Sequence, residues 1–301
     1  MPTASLAVIG GSGFYHMEGI ADVEEVAVAT PFGDPSDAIT VGTLEGERVA
    51  FLPRHGRGHR ISPTELNQRA NIFALKTLGV EQIISISACG SMREEIRPLD
   101  AVIPDQIFDR TLLRPNTFFG EGLVVHVGFA DPFCPELSRL LFDVAAEVLG
   151  DATADGTPDG EPRPPRAHRG GTYVCIEGPQ FSTKAESRIY RRWGVDLIGM
   201  TVLPEAKLAR EAEICYATLA FATDYDVWHE SAAAVSVEMV VENLFRNVAA
   251  ARQIIRSVVG QARRERRCGC ESALESAIIT QRDAIPPEIK AKLAPLIGRY
   301  V

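Results

Sequence analysis

The sequence predicts an α/β fold, a single domain over residues 1–301 with a mixed central β-sheet surrounded by α-helices. Short apolar or β-branched runs alternate with stretches of helical spacing along most of the chain, as strands do beneath helical cover. Several of those runs show no polar alternation, the mark of strands buried on both faces. With 46% apolar and 24% charged residues, 25 glycines and 19 prolines, usage is globular; collagen-like, coiled-coil and wholly disordered chains are excluded.

The first run, Leu6-Ala7-Val8-Ile9, stops at Gly10-Gly11-Ser12-Gly13, which reads as a buried strand ending in a tight turn. Further strands are expected at 38–44, 49–52, 82–87, 100–104, 171–176, 196–198 and 214–223. Helices are expected at 64–78, 135–149, 183–193, 205–213 and from 235 to about 261, where apolar residues recur at helical spacing. Residues 151–169 carry four prolines and almost no apolar side chains, so they read as an exposed insertion rather than a domain linker. Beyond residue 257 a helical tail follows, with a basic run, Arg263-Arg264-Glu265-Arg266-Arg267, that reads as a solvated helix end.

Forty acidic against 31 basic side chains give a formal charge of -9. No broad basic face is available for a phosphate backbone, so nucleic acid is excluded as a partner. No stretch approaches the ~18 consecutive apolar residues of a membrane span, and no charged leader with a cleavage site opens the chain. The expectation is a cytoplasmic protein without a membrane partner. Cys89, Cys134, Cys175 and Cys215 stand singly in apolar segments and read as core thiols. Cys268-Gly269-Cys270 lacks a second pair or histidines in sequence, so no metal is expected there and a local disulfide or free thiols are.

Four clusters could carry chemistry. Gly10-Gly11-Ser12-Gly13 offers backbone N–H groups and the Ser12 hydroxyl to an anion. A dinucleotide fingerprint would need Gly or Ala at the sixth position from Gly11, where His16 stands, so a nicotinamide enzyme is disfavoured. Residues 54–60 gather Arg54, His55, Arg57, His59 and Arg60 between glycines, and the arginine fork matches phosphate oxygens. Ser85 to Ser91 runs a strand into a turn rich in small residues and hydroxyls. Last, Thr223-Asp224-Tyr225-Asp226 follows an apolar strand, so two carboxylates two residues apart should point the same way at its tip. Like charges held close raise one pKa, which lets a carboxyl group keep a proton to donate. Each cluster alone also fits an ordinary turn, ion pair or cap.

Taken together and in order, these segments resemble the methylthioadenosine phosphorylase branch of the trimeric purine nucleoside phosphorylase family. The motifs are GGSG, TPFGDPSD (Thr30–Asp37), PRHGRGH (Pro53–His59), ACGSMREEI (Ala88–Ile96), DPFCP (Asp131–Pro135), IEGPQFST (Ile176–Thr183), GMT (Gly199–Thr201), LPE (Leu203–Glu205) and ATDYD (Ala222–Asp226), spanning Leu6 to about Arg256.

The resemblance implies a purine nucleoside phosphorylase-like fold, a homotrimer with the active site near the subunit boundary, and phosphorolysis of a nucleoside without metal or organic cofactor, inorganic phosphate being the co-substrate. It assigns Ser12, Arg54, His55, Ser87, Ala88 and Thr201 to phosphate. Met200 should lie under the ribose and Phe181 against the purine. Asp224 would protonate the purine N7 and Asp226 read the exocyclic amine. In relatives that prefer 6-oxopurines an asparagine tends to occupy the position of Asp224, so two aspartates favour adenine. Val237 stands where hydroxyl-reading relatives have a histidine, which suits a 5′-methylthio group. His126 matches a position that reaches the neighbouring subunit's 5′ pocket, although a buried core histidine is also open for it. Gly199 departs from the asparagine of animal members. The expected reaction is phosphate-dependent cleavage of 5′-methylthioadenosine. A broad purine nucleoside or methylthioinosine phosphorylase and a non-catalytic purine-binding protein are the alternatives.

Overall fold

The structure, a computed structural model, describes residues 3–11, 17, 19–150, 163–229, 237–262 and 266–301. The leading apolar run has no polar position to turn toward water and becomes β1 (Leu6–Gly10), buried throughout. Its neighbours β4 (Glu47–Pro53) and β5 (Gln82–Ser91) both run parallel to it. Side chains alternate between the two faces, the period of a strand. Ala7 and Ile9 join a core beneath α1 (Gln68–Thr77), α4 (Val202–Glu211) and the C-terminal α6 (Pro287–Lys292) and α7 (Ala294–Ile297). Leu6 and Val8 join a second core beneath α2 (Pro135–Leu149) and α5 (Val237–Gln261). Each such aliphatic side chain contributes roughly 1.5–3 kcal/mol when fully buried. A sheet apolar on both faces therefore requires helices on both, which is the α/β architecture expected.

The sheet is mixed. From β4 it continues antiparallel through β3 (Ile39–Leu44) to β2 (Ala21–Val26). On the other side of β5 lie β10 (Leu197–Gly199), antiparallel, then β9 (Thr172–Ile176) and β7 (Gln106–Arg110), parallel. The all-buried β11 (Cys215–Asp224) runs parallel along β5 from Gln82 to Gly90, and β6 (Ala101–Ile103) pairs with β11 and with β8 (Ala167–Arg169). Because β11 occupies one edge of β5, β1 and β10 share the other. β1 pairs with residues 82–85 of β5 and β10 with residues 90–91. On that second edge residues 86–89, paired with β11 on the first, have no strand partner among the described residues, and it is there that the sheet opens.

The chain departs from the sequence expectations in a few places. The helix expected from Thr64 starts at Gln68, because Asn67 caps it by accepting from the Ala70 N–H. The α4 helix starts earlier than residue 205, at Val202. Strands β2, polar and largely exposed, and β7, short and half-buried, depart from the sequence expectation. The insertion expected over 151–169 is only partly a loop: Ala167–Arg169 forms β8, with Ala167 fully buried. Asp100 anchors that return, accepting from the Arg163 guanidinium, the Arg166 N–H and His168 Nε2. Residues 151–162 lie outside the described residues. In the described part of the basic run the Arg266 guanidinium donates to the Glu213 carbonyl and the Arg267 backbone N–H to the Glu136 carboxylate, local structural contacts.

Candidate active site

The gap in the sheet opens into a cavity of about 500 Å³ where the ends of β4, β5, β9, β10 and β11 meet the first turns of α5. Arg54, His55, Ala88 and Thr201 line one end, and Asp224, Asp226 and Phe181 the other. Met200, Val240, Val241 and Phe245 add apolar lining. Such a pocket, mostly apolar with a few convergent polar groups, is the usual form of a small-molecule site.

At the first end, Arg54 is 1% exposed and its charge is met by Glu205, 0% exposed, at 2.5 Å. The remaining donors reach the Ile86 carbonyl at 2.8 Å and Ser85 Oγ at 2.7 Å. Burial alone would weaken the guanidinium's hold on its proton, but the Glu205 carboxylate outweighs it and raises the pKa. Glu205 in turn accepts from Ser85 and Tyr216, so both charges are compensated before any ligand arrives. Beside this pair His55 donates Nδ1–H to the Ile61 carbonyl at 2.8 Å, which leaves Nε2 as an acceptor. Burial, with the Arg54 charge next, lowers its pKa to about 4, so the ring is neutral at pH 7.

Ser87 and Thr201 hydroxyls lie 2.8 Å apart, and Tyr173 Oη stands 3.0 Å from Ser87 Oγ. The Tyr173 hydroxyl also explains Gly199: a Cβ there would come within 1.8 Å of it. In this chain the tyrosine occupies the space an asparagine side chain would need.

At the other end β11 delivers Asp224, whose Oδ1 accepts the Asp226 N–H at 2.7 Å and whose Oδ2 accepts the Thr223 hydroxyl at 2.7 Å. The strand stops at Asp224 and Asp226 sits in the following turn with φ 48°. The two carboxylates thus share the cavity through a turn rather than through strand alternation. Burial is the main cause that raises the pKa of each, and for Asp224 the Asp226 charge adds to it. Gly90 permits the approach: a Cβ there would stand 3.0 Å from Asp224 Oδ1. Asp226 Oδ2 is buried without a hydrogen-bond partner among the described residues. A buried carboxylate oxygen so placed costs free energy until something donates to it.

The structure thus brings together Arg54, His55, Ala88, Thr201, Met200, Phe181, Asp224 and Asp226, with Ser87 bonded to Thr201 just behind the lining. Ser12 lies outside the described residues, as does the Val237 side chain. The open alternative of a core His126 is corrected: its side chain is exposed, away from this cavity, and its backbone N–H bonds to the Ala277 carbonyl. Sequence reasoning missed Glu205 as the partner of Arg54, Tyr173, and the α5 wall. It also missed Arg114, buried, whose guanidinium donates to the carbonyls of Ile176, Glu177, Met200 and Leu203 and so ties the Ile176–Thr183 and Gly199–Thr201 segments together. No local signal marks such partners, since they meet across long sequence separations.

One further correction lies away from the cavity. Cys134 and Cys215 are buried as expected, but they are not isolated: they gather with Cys268 and Cys270, which sequence spacing left without a second pair. Cys89 and Cys175 remain separate buried thiols.

The model of the phosphorylase superfamily matches residues 5–260. An S-methyl-5′-thioadenosine phosphorylase of Geobacter sulfurreducens is 57% identical over 98% of this chain and 99% of its own length. Another from Gloeobacter violaceus is 55% identical over 99% and 97%. Among solved structures, a methylthioadenosine phosphorylase from an antarctic soil metagenomic library is similar with TM-score 0.89 and 48% identity, covering 98% of this chain and 99% of that one. Methylthioadenosine phosphorylase from Schistosoma mansoni, in complex with adenine, is similar with TM-score 0.79 and 34% identity over 98% of both chains.

Proposed function

The chain belongs to the phosphorylase superfamily, and on that premise we propose that it cleaves 5′-methylthioadenosine with inorganic phosphate, yielding adenine and 5-methylthioribose 1-phosphate for methionine and purine salvage. The single observation that carries this reading is one apolar cavity whose lining holds Arg54, a neutral His55 and Thr201, bonded to Ser87, together with two buried acids, Asp224 and Asp226. Relatives at 55–57% identity over nearly the whole chain bear the name of this activity.

The chemistry follows from charge. As the glycosidic bond breaks, the ribosyl carbon becomes electron-poor and the purine electron-rich, so an anion belongs near the first and a proton donor near the second. Phosphate is the anion, received by Ser87, Thr201, the Ala88 backbone and Arg54, with Ser12 added by the family resemblance alone. The neutral His55 accepts a hydrogen bond from a protonated phosphate oxygen through Nε2. Asp224, its pKa raised by burial, donates to N7 of the departing base. Asp226 offers its unpartnered oxygen to the 6-amino group, satisfying an acceptor that is otherwise orphaned. Phe181 packs on the purine, Met200 lies under the ribose, and Val240, Val241 and Phe245 continue the apolar 5′ environment assigned to Val237. General acid help is typically worth ~10²–10⁴-fold, and positioning of phosphate supplies further acceleration. The mechanism uses no metal or organic cofactor.

We place the protein in the cytoplasm; among the described residues no helix is long and apolar enough to cross a membrane. A homotrimer, with His126 reaching a neighbour's 5′ pocket, would cover apolar side chains such as Leu112, Leu113 and Val124 that the single chain exposes, and light scattering of the purified chain tests it. Initial rates on methylthioadenosine, adenosine, inosine and methylthioinosine, with and without phosphate, test the reaction. Methylthioadenosine should be preferred and turnover should require phosphate. An inosine preference would overturn the base assignment, and binding without base release would make the protein a purine binder.

A further inference from the structure

We propose that Cys134, Cys215, Cys268 and Cys270 bind one structural zinc ion that staples the C-terminal tail to the sheet. Their four sulfur atoms lie within 4.8 Å of one another, with Cys215 and Cys268 Sγ at 3.4 Å. A tetrahedral zinc with bonds of about 2.3 Å requires sulfur–sulfur edges of roughly 3.8 Å. The cluster already has that scale, and it offers the closed four-thiolate set of a structural site. Mononuclear spacing and all-thiolate donors select zinc among the common divalent ions, since carboxylate-preferring magnesium and calcium find no oxygen ligand in the cluster.

Three parts of the fold converge to build it. Cys134 is the N-cap residue of the fifteen-residue α2, and Cys215 is the first residue of β11. Cys268 and Cys270 flank Gly269 at the start of a 3₁₀ turn, Gly269–Ser272. Three of the four side chains are buried. Four thiols lose four protons on binding, giving a complex of net charge -2 beside the N-terminal end of α2, and Arg139, Arg266 and Arg267 stand close by with Glu136 and Asp143, Arg266 being paired with Glu271. Those arginines line a second cavity, about 290 Å³, that reaches Cys134 and Cys215 and supplies a path for the ion. The tail beyond the turn then returns to the body, where Val125 pairs with Ile278 and the His126 N–H bonds to the Ala277 carbonyl. A staple at the turn therefore fixes where that return begins. The inference stands apart from the catalytic reading, since none of the four cysteines lines the active-site cavity.

The test is elemental analysis of the full-length chain purified with a non-thiol reductant and no chelator. Roughly one zinc per chain is expected, falling below about a tenth in the Cys268→Ser/Cys270→Ser double variant, because coupled ligands lose the ion together. Exchange of the wild-type protein into cobalt(II) should give the strong visible bands of tetrahedral thiolate coordination, a readout that needs no variant. Alkylation followed by mass spectrometry should find these four thiols protected until the ion is stripped, with Michaelis constants for nucleoside and phosphate unchanged in the stripped protein. Four freely alkylated thiols with no zinc after incubation with zinc chloride would overturn the proposal. So would two disulfides in the protein as isolated, or iron in place of zinc.

Discussion

The two ends of the active-site cavity solve the problem of a buried charge in opposite ways. Arg54 is enclosed with Glu205, Ser85 and the Ile86 carbonyl, so its charge is fully answered from within the chain. Asp226 is also buried but keeps one carboxylate oxygen without a partner among the described residues. A compensated buried ion pair is a structural element whose loss is felt by the fold. An uncompensated acceptor is a place for a ligand's donor, and its loss is felt by binding. The phosphate end is therefore held ready by the fold, and the base end is completed by the substrate.

Substitutions at the two ends should separate these roles. The largest effect belongs to Asp224→Asn: turnover of methylthioadenosine should fall by ~10²–10⁴-fold, the worth of a general acid, with preference moving toward 6-oxopurines and the melting temperature almost unchanged. Steady-state kinetics beside calorimetry would show it, and near-normal turnover would mean another group is the acid. At the opposite end Glu205→Ala leaves the Arg54 charge buried and unpaired. We expect a loss of about 3–5 kcal/mol in denaturant unfolding, larger than the loss from any single substitution among the aspartates.

His55 adds a pH dependence at the same end. Its folded pKa of about 4 lies below the unfolded value near 6.5, so the folded state resists its protonation. The corresponding stability is present above pH 6.5 and is lost as pH falls toward 4. The window is worth roughly 3 kcal/mol at its full extent. Unfolding of wild type and His55→Asn across that range, without phosphate, should show the two curves converge at acid pH. The smallest effect should come from Asp226→Asn. Removing a buried charge whose Oδ2 has no partner among the described residues should leave unliganded stability nearly unchanged, while the 6-amino group loses its acceptor at a cost of roughly 1–3 kcal/mol in transition-state binding. If that variant instead unfolded easily, the contrast between the two ends would fail.

Much of this was legible in the sequence wherever chemistry and burial are local. The runs that became β1, β4 and β11 announced themselves by lacking polar alternation, and Pro135–Leu149 became α2 with the boundaries expected. Edge strands such as β2, with sequence ADVEEV, carry no such signal because they bury little. In the site, Arg54, His55, Ala88, Phe181, Met200, Thr201, Asp224 and Asp226 line one cavity, whereas His126 lies away from it and Ser12 falls outside the described residues, and the supports of those residues did not show beforehand. Glu205 reaches Arg54 across 151 residues, and Arg114 reaches Met200 across 86. Tyr173 fills the space left by Gly199 only once β9 and β10 pair. The cysteine cluster is a pairing of the same long-range kind. Spacing along the chain records a turn or a helix face, but not which distant elements a sheet will bring side by side.

The most direct test is a crystal structure of the protein with sulfate and adenine bound together. Sulfate should occupy the end bounded by Ser87, Thr201 and Arg54. Adenine N7 and its amino group should lie within hydrogen-bonding distance of Asp224 and Asp226, respectively. An oxyanion bound elsewhere, or a base turned away from both aspartates, would contradict the division of the cavity on which the mechanism depends.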